Sequence, residues 1–170
     1  MNNGFQKAAK TNVPRHALEN KKALVVGIAN DQSIAYGCAK AFRELGAELT
    51  ITFLNDKAKP FVAPLAEELG APIFMPMDAA KPGELRAVFE RITREWGQLD
   101  ILVHSIAFAP KADLQGGLLN CSAEGFSTAM DISCHSFIRM ARKAAPLMKN
   151  SKSCCRPILS DGSIKIEYIF

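Results

Sequence analysis

Residues 22–46 read KALVVGIANDQSIAYGCAKAFRELG. Residues 23–26 are a short apolar run that follows two lysines and stops at Gly27. Residues 27–32 are polar and glycine-led, and from Ser33 the period changes. Ile34, Cys38, Phe42 and Leu45 recur at spacings of four, four and three, one face of an α-helix. Gly46 stands where a C′ residue ends such a helix. The stretch predicts a buried strand, a tight turn and a helix. The start of that helix carries free N–H groups and the positive end of the macrodipole. Together they make an anion site, most often for a dinucleotide pyrophosphate in α/β proteins.

The same alternation continues outward. Residues 48–54 (ELTITFL) predict a second strand, and Ala58, Phe61, Val62, Leu65 and Leu69 a second helical face ending at Gly70. Residues 72–77 predict a short third strand with Asp78 beyond it. Leu85, Val88, Phe89, Ile92 and Trp96 mark a third helix closed by Gly97. Residues 99–104 (LDILVH) predict a fourth strand, and residues 113–122 a glycine-containing polar loop. Residues 124–149, with Phe126, Met130, Ser133, Phe137, Met140, Ala144 and Leu147, predict one long helix. Strands separated by helices and joined by short connections imply parallel pairing with right-handed crossovers. The expected fold is α/β, a Rossmann-type doubly wound parallel sheet in the order 3-2-1-4. The expected organisation is a flexible arm over residues 1–20, a dinucleotide-binding domain over 21–149 and a divergent tail over 150–170.

Composition narrows the function classes. The 170 residues suit one domain, and 48% hydrophobic content is ample for a core. A net charge of +4, scattered and not interleaved with aromatics, argues against a nucleic-acid partner. No apolar run approaches a membrane span, and residues 1–20 lack the apolar centre of a secretory signal. Five cysteines without a C-x-x-C spacing fit neither a disulfide framework nor a zinc site, so a reducing cytoplasm is expected. Cys38, on the apolar helix face, reads as a small core residue. His104 lies in an apolar strand and reads as a satisfied buried imidazole; His135 reads as structural. No Ser–His–Asp arrangement and no metal-ligand spacing is present.

The usual dinucleotide fingerprint G-x-G-x-x-G is absent. The loop from Gly27 to Gly37 instead has the form G-x5-S-I-A-x-G. Residues 101–110 read ILVHSIAFAP, and residues 131–141 read DISCHSFIRMA. In these three stretches the chain resembles the NADH-dependent enoyl-acyl-carrier-protein reductases of bacterial fatty-acid synthesis. These are divergent short-chain dehydrogenases/reductases, and the resemblance covers about residues 20–149. It implies pyrophosphate-loop roles for Gly27, Ser33 and Ile34, with the Ser33 and Ile34 amides facing the phosphates. It implies an adenine contact for Asp78, with Ala79 beside it. It places Ser105, Ile106 and Ala107 along the cofactor and the Ala109 backbone near the acyl substrate. Leu54 stands at the end of the second strand, where a ribose-binding acidic residue is usual and some relatives carry an amide. NADH over NADPH therefore follows from the resemblance and not from Leu54. Without it, Gly27 reads as a plain βα turn, Ser33 as an N-cap and Asp78 as a solvated turn residue.

The resemblance also implies a Y-x6-K pair, whose tyrosine stabilises an enolate oxygen and whose lysine orients the ribose. Neither Tyr36 nor Tyr168 has a lysine seven residues on, so no catalytic residue is assigned. From residue 150 the sequence reads NSKSCCRPILSDGSIKIEYIF, in which Arg156-Pro157 is expected to interrupt any central strand. The expectation is a truncated reductase with an unrelated tail, its fold incomplete, with later strands missing or replaced. The fourth strand is then an exposed, aggregation-prone edge. By resemblance, the activity is hydride transfer from NADH to a trans-2-enoyl thioester on acyl carrier protein, inactive in this form, in a homo-oligomer (a tetramer in complete relatives). The alternatives are a catalytically dead nucleotide-binding remnant or another short-chain dehydrogenase/reductase.

Overall fold

The structure, a computed structural model, describes residues 16–148 and the backbone of two further strands, Ser153–Ser160 and Ser163–Tyr168. Strand β1, Lys22–Val26, is the centre of the sheet. Its residues are buried on both faces: Ala23 and Val25 join one apolar cluster, and Leu24 and Val26 the other. A strand that is apolar throughout has to be covered twice, as parallel sheets are. Helices α1 (Ile34–Glu44) and α2 (Lys59–Glu68) supply the first cover, through Ala35, Ala39, Val62 and Ala66. Helix α3 (Pro82–Glu95) supplies the second through Val88 and Ile92, and a later helix through Phe137 and Met140.

Strand β2 is Glu48–Phe53, β3 Ile73–Pro76 and β4 Ile101–His104. All pair in parallel: Leu24 lies opposite Thr50 and Leu102, and Ile51 opposite Phe74. The order 3-2-1-4 is as expected. At the amino ends, the buried Asp100 carboxylate accepts the Lys22 N–H at 2.9 Å and meets the Lys21 ammonium at 3.1 Å. It fixes the β1–β4 register from below. Gly46, at φ +100°, reverses the chain after α1 as the C′ residue, and the Ala47 N–H reaches back to the Phe42 carbonyl.

Three expectations need correction. Of the expected flexible arm, residues 16–20 form a turn: the Leu18 N–H bonds to the Leu45 carbonyl, and Leu18 packs on the core. The remainder of the arm, residues 1–15, lies outside the described residues. The expected single helix over residues 124–149 is three segments: α4 (Ala123–Met130), a π turn (Asp131–His135) and α5 (Ser136–Ala144). In the π turn the Ser136 N–H reaches back five residues to the Asp131 carbonyl. The apolar spacing alternates fours and threes straight through it, which hides the extra residue.

The third correction concerns the tail. Strand β5, Ser153–Ser160, lies beside β4 in parallel, with Ile101, Leu102 and Val103 opposite Ser153, Cys154 and Cys155. Strand β6, Ser163–Tyr168, returns antiparallel to β5, giving six strands in the order 3-2-1-4-5-6. Pro157 does not interrupt the pairing with β4, because that pairing ends at Cys155. Its neighbour is Ile166 of β6, and prolines are tolerated in such peripheral ladders. On this side of the sheet the open edge is therefore β6 and not β4. Among the described residues no helix is long and apolar enough to cross a membrane.

Deleting residues 153–168 should uncover β4. Amide exchange at Ile101–Val103 is expected to accelerate about tenfold or more, while β1 and β2 keep their protection. Unchanged protection in β4 would show that β5 does not cover it.

Candidate functional site

In a parallel sheet all carboxyl ends lie on one edge. Strand order reverses between β1 and β4, so the crevice outside their ends is where such folds take ligands. Every site residue expected from the sequence follows one of these ends. Gly27, Ser33 and Ile34 follow β1, Leu54 follows β2, Asp78 and Ala79 follow β3, and Ser105 to Ala109 follow β4.

Gly27 has φ +105°, and a Cβ there would overlap the Ser105 backbone carbonyl. The Ser105 N–H bonds to the Val26 carbonyl at 2.9 Å, so β1 and β4 stay in step past their formal ends. The expected reason for Gly27, room for pyrophosphate, is joined by one that needs no ligand: β4 occupies the space of a side chain.

The turn before α1 is built by Asn30, which the sequence reading passed over. Its side-chain oxygen accepts the Gln32 N–H at 3.0 Å. Its carbonyl accepts both the Ser33 N–H at 3.2 Å and the Ser33 hydroxyl at 2.6 Å. Ser33 is the N-cap, accepting the Tyr36 N–H at 3.4 Å. The Ser33 amide is thus engaged within the turn. The Tyr36 and Gly37 N–H groups go to Ser33, and those of Ile34 and Ala35 remain as donors towards an anion. Gly37 lies three residues after Ile34 and four after Ser33, on the same stripe of the helix. It is exposed, and a Cβ there would meet nothing within 4 Å. Open space beside free N–H groups is a fit for a phosphate.

Leu54 is 53% exposed. After it, Asn55 starts the turn into α2 by accepting the Lys57 and Ala58 N–H groups at 3.0 and 3.1 Å. At the β3 end, the Asp78 N–H donates to Glu84 at 2.8 Å, and the Asp78 carboxylate accepts the Ala80 N–H at 2.9 Å. Lys81 sits 3.0 Å from Glu84 and holds that carboxyl below its usual range. Ala79 is buried, and its carbonyl accepts from Arg139 at 3.0 Å.

Past β4, Ser105 and Ile106 are half-buried, Ala107 and Phe108 exposed and Ala109 half-buried. The Ser133 hydroxyl accepts the Phe108 N–H at 3.0 Å and donates to the Phe108 carbonyl at 3.1 Å. The π turn supplies this pin. Two 3-10 turns, Lys111–Leu114 and Leu118–Asn120, fill the expected polar loop. Asp113 closes it by accepting the Ser122 N–H at 2.6 Å, and that bond holds its carboxyl below the usual range. A Cβ on Gly125 would overlap the Asp113 carboxylate.

His104 is buried, its Nε2 2.6 Å from the Ser136 hydroxyl. That hydroxyl donates to the Ile132 carbonyl at 2.6 Å, so Nε2 carries the proton and donates to it. The expectation of a buried core histidine holds, and its Nε2 is satisfied. Cys38 is half-buried, and burial pushes its thiol up.

Fold, crevice and glycine-lined helix start are those of a Rossmann-type α/β domain. The profile of the enoyl-(acyl carrier protein) reductase family matches residues 27–163, and the chain belongs to that family. It is 38% identical to the enoyl-(acyl-carrier-protein) reductase (NADH) of Aquifex aeolicus over 149 residues, covering 88% of this chain and 55% of the relative. It is 42% identical to the Haemophilus influenzae enzyme of the same name, covering 77% and 50%. A solved structure of the Anaplasma phagocytophilum reductase in complex with NAD matches with a TM-score of 0.77 and 42% identity, covering 82% of this chain and 54% of that one. The chain spans about half the length of the curated relatives it matches.

Two outcomes test this geometry without ligand. Gly27→Ala should cost about 1–3 kcal/mol in urea unfolding, whereas Gly37→Ala should cost nothing; equal midpoints would refute the contact with Ser105. The contribution of Asp113 is complete above about pH 4, the unfolded value, and fades as pH falls through its lowered folded value. Amide exchange in the loop should accelerate over that acid range, and Asp113→Asn should remove the pH dependence.

Proposed function

We propose that residues 21–149 form the nucleotide-binding part of an NADH-dependent enoyl-acyl-carrier-protein reductase. The observation that carries this reading is the β1–α1 turn. It has a glycine forced by contact with β4, an N-cap serine taken up by Asn30, and the Ile34 and Ala35 amides left near the bare Gly37. A dinucleotide pyrophosphate fits that combination of donors and open backbone. Ile34 would donate to the phosphates, Asp78 and Ala79 would border the adenine, and Ser105, Ile106 and Ala107 would run along the cofactor. Ala109 would border the acyl chain, and Leu54, an exposed apolar residue, would lie by the adenosine ribose. NADH over NADPH follows from the relatives, not from this position, where Lys57 and Lys59 lie near Leu54.

A bound nicotinamide would supply hydride to the β-carbon of an enoyl thioester. The 170 residues carry no Y-x6-K pair to stabilise the resulting enolate. They are therefore assigned binding without turnover. The working compartment is the cytoplasm, and the complete protein's substrate is an acyl-carrier-protein thioester. A second copy of the chain is the expected partner, since Phe126, Met130 and Ile138 on α4 and α5 are exposed.

Calorimetry with NADH tests the reading. The chain should bind NADH, and Gly37→Leu should abolish binding without lowering the unfolding midpoint, because the added side chain enters only open space and leucine is the better helix former. Binding unaffected by Gly37→Leu would place the nucleotide elsewhere. Reduction of an enoyl thioester above background would overturn the assignment of binding without turnover.

A further inference from the structure

Ser133, Ser136 and Arg139 stand three residues apart and reach three different parts of the ligand-facing edge. Ser133 holds the Phe108 backbone, Ser136 meets His104 at the end of β4, and Arg139 reaches across to the loop after β3. The first two contacts hold β4 and its continuation. The third is of another kind, because it joins α5 to a loop it does not lead into.

Arg139 donates from Nη2 to the Ala79 carbonyl at 3.0 Å. The same guanidinium is held in both directions by Asp131, with Nη1 to Oδ1 at 2.6 Å and Nη2 to Oδ2 at 3.1 Å. Nη1 also lies 2.9 Å from His135 Nδ1, which accepts from it. The Arg139 side chain is 22% exposed and that of Asp131 48%, so the pair lies at the surface with the arginine the more covered of the two. Asp131 is held below the usual carboxylate range, chiefly by Arg139. A planar fork gripped on one side by a carboxylate has its remaining N–H aimed in a fixed direction. Here that direction is the Ala79 carbonyl.

We infer that Arg139 is a positioning residue for nucleotide binding. Oriented by Asp131 and His135, it fixes the loop at Asp78 and Ala79 against which an adenine ring would lie. This rests on the nucleotide reading above. The Asp78 N–H is anchored separately, by Glu84 from α3. Two helices therefore hold one short loop, α3 at its start and α5 one residue later. Loss of Arg139 frees the Ala79 carbonyl and lets the Asp78 carboxylate drift, since its own bond to the Ala80 N–H moves with the loop.

The test compares the parent chain with Arg139→Met, which keeps the apolar stem. Two readouts are used: ADP and nicotinamide mononucleotide binding by calorimetry, and amide exchange by nuclear magnetic resonance. ADP affinity should fall about tenfold, the scale of one lost charge-assisted bond, while the mononucleotide is bound as before. Exchange should accelerate at Ala80 and Lys81 but not in β1. Unchanged ADP affinity in a parent that binds ADP overturns the inference. So does acceleration spread equally over β1, which marks general loosening. If the parent binds neither nucleotide, the nucleotide reading fails by itself and the exchange arm decides the loop role. Faster exchange confined to Ala80 and Lys81 then upholds Arg139 as the anchor, and no change overturns it. Should Arg139→Met not fold, Asp131→Asn releases the same guanidinium without touching the loop and is expected to give the same pattern, weaker.

Discussion

The contact between Gly27 and the Ser105 carbonyl is the constraint on which the ligand-facing edge depends. Strands β1 and β4 carry their pairing one residue past the ladder, through Ser105 N–H to Val26 carbonyl. At the next residue the two backbones come so close that a Cβ would overlap a carbonyl. From there one chain turns into α1 and the other into the loop that Ser133 pins. The opening of the crevice is thus set by backbone, not by side chains that could repack. Asp100 holds the opposite end of the same strand pair through the Lys22 N–H. With both ends fixed, small displacements of β4 against β1 are opposed at each end of a short ladder.

Much of the fold was legible because each element has one dominant cause. β1 is apolar from Ala23 to Val26, on both faces, so it had to be central. α1 has a capping serine at its start and a glycine in the left-handed region at its end, so its limits were fixed locally. His104 was readable for a similar reason: an imidazole among Leu102, Val103 and apolar helices must find a polar partner, and Ser136 is there. The π turn was not legible, because its cause is non-local. Ser133 is drawn to the Phe108 backbone, twenty-five residues earlier in the chain, and periodicity does not register that. The tail was misread for the opposite reason. Pro157 was weighed as a residue of a central strand, whereas β4 is only four residues long and its pairing stops before the proline.

The site residues divide in the same way. Positions at strand ends followed from topology, and the resemblance assigned their roles. The residues that hold those positions were missed. Asn30 carried a local signal, an asparagine three residues before a capping serine, as in side-chain-closed turns. Arg139 and Asp113 carried none. Their partners, Ala79 and Ser122, are found only once helices and loops are packed.

Positioning is what these residues provide, and the tyrosines show why chemistry is a separate matter. Reduction of an enoyl thioester needs a hydroxyl free to donate to the forming enolate oxygen. Tyr36 lies on α1 three residues after the capping Ser33, and it is buried whereas Gly37 is exposed. Its hydroxyl donates to Glu68 of α2 at 3.0 Å, and that bond pushes its pKa up. A phenol so engaged ties two helices together and is a poorer acid than a free one. Tyr168 closes β6, the outermost strand, with β5 and β4 between it and β1. The crevice between β1 and β4 therefore has the backbone donors that suit a dinucleotide, while the Tyr36 hydroxyl is committed elsewhere. In this architecture binding and turnover would be separable, because backbone donors lie in the turns at the strand ends. The second requires a side chain brought over them from another element.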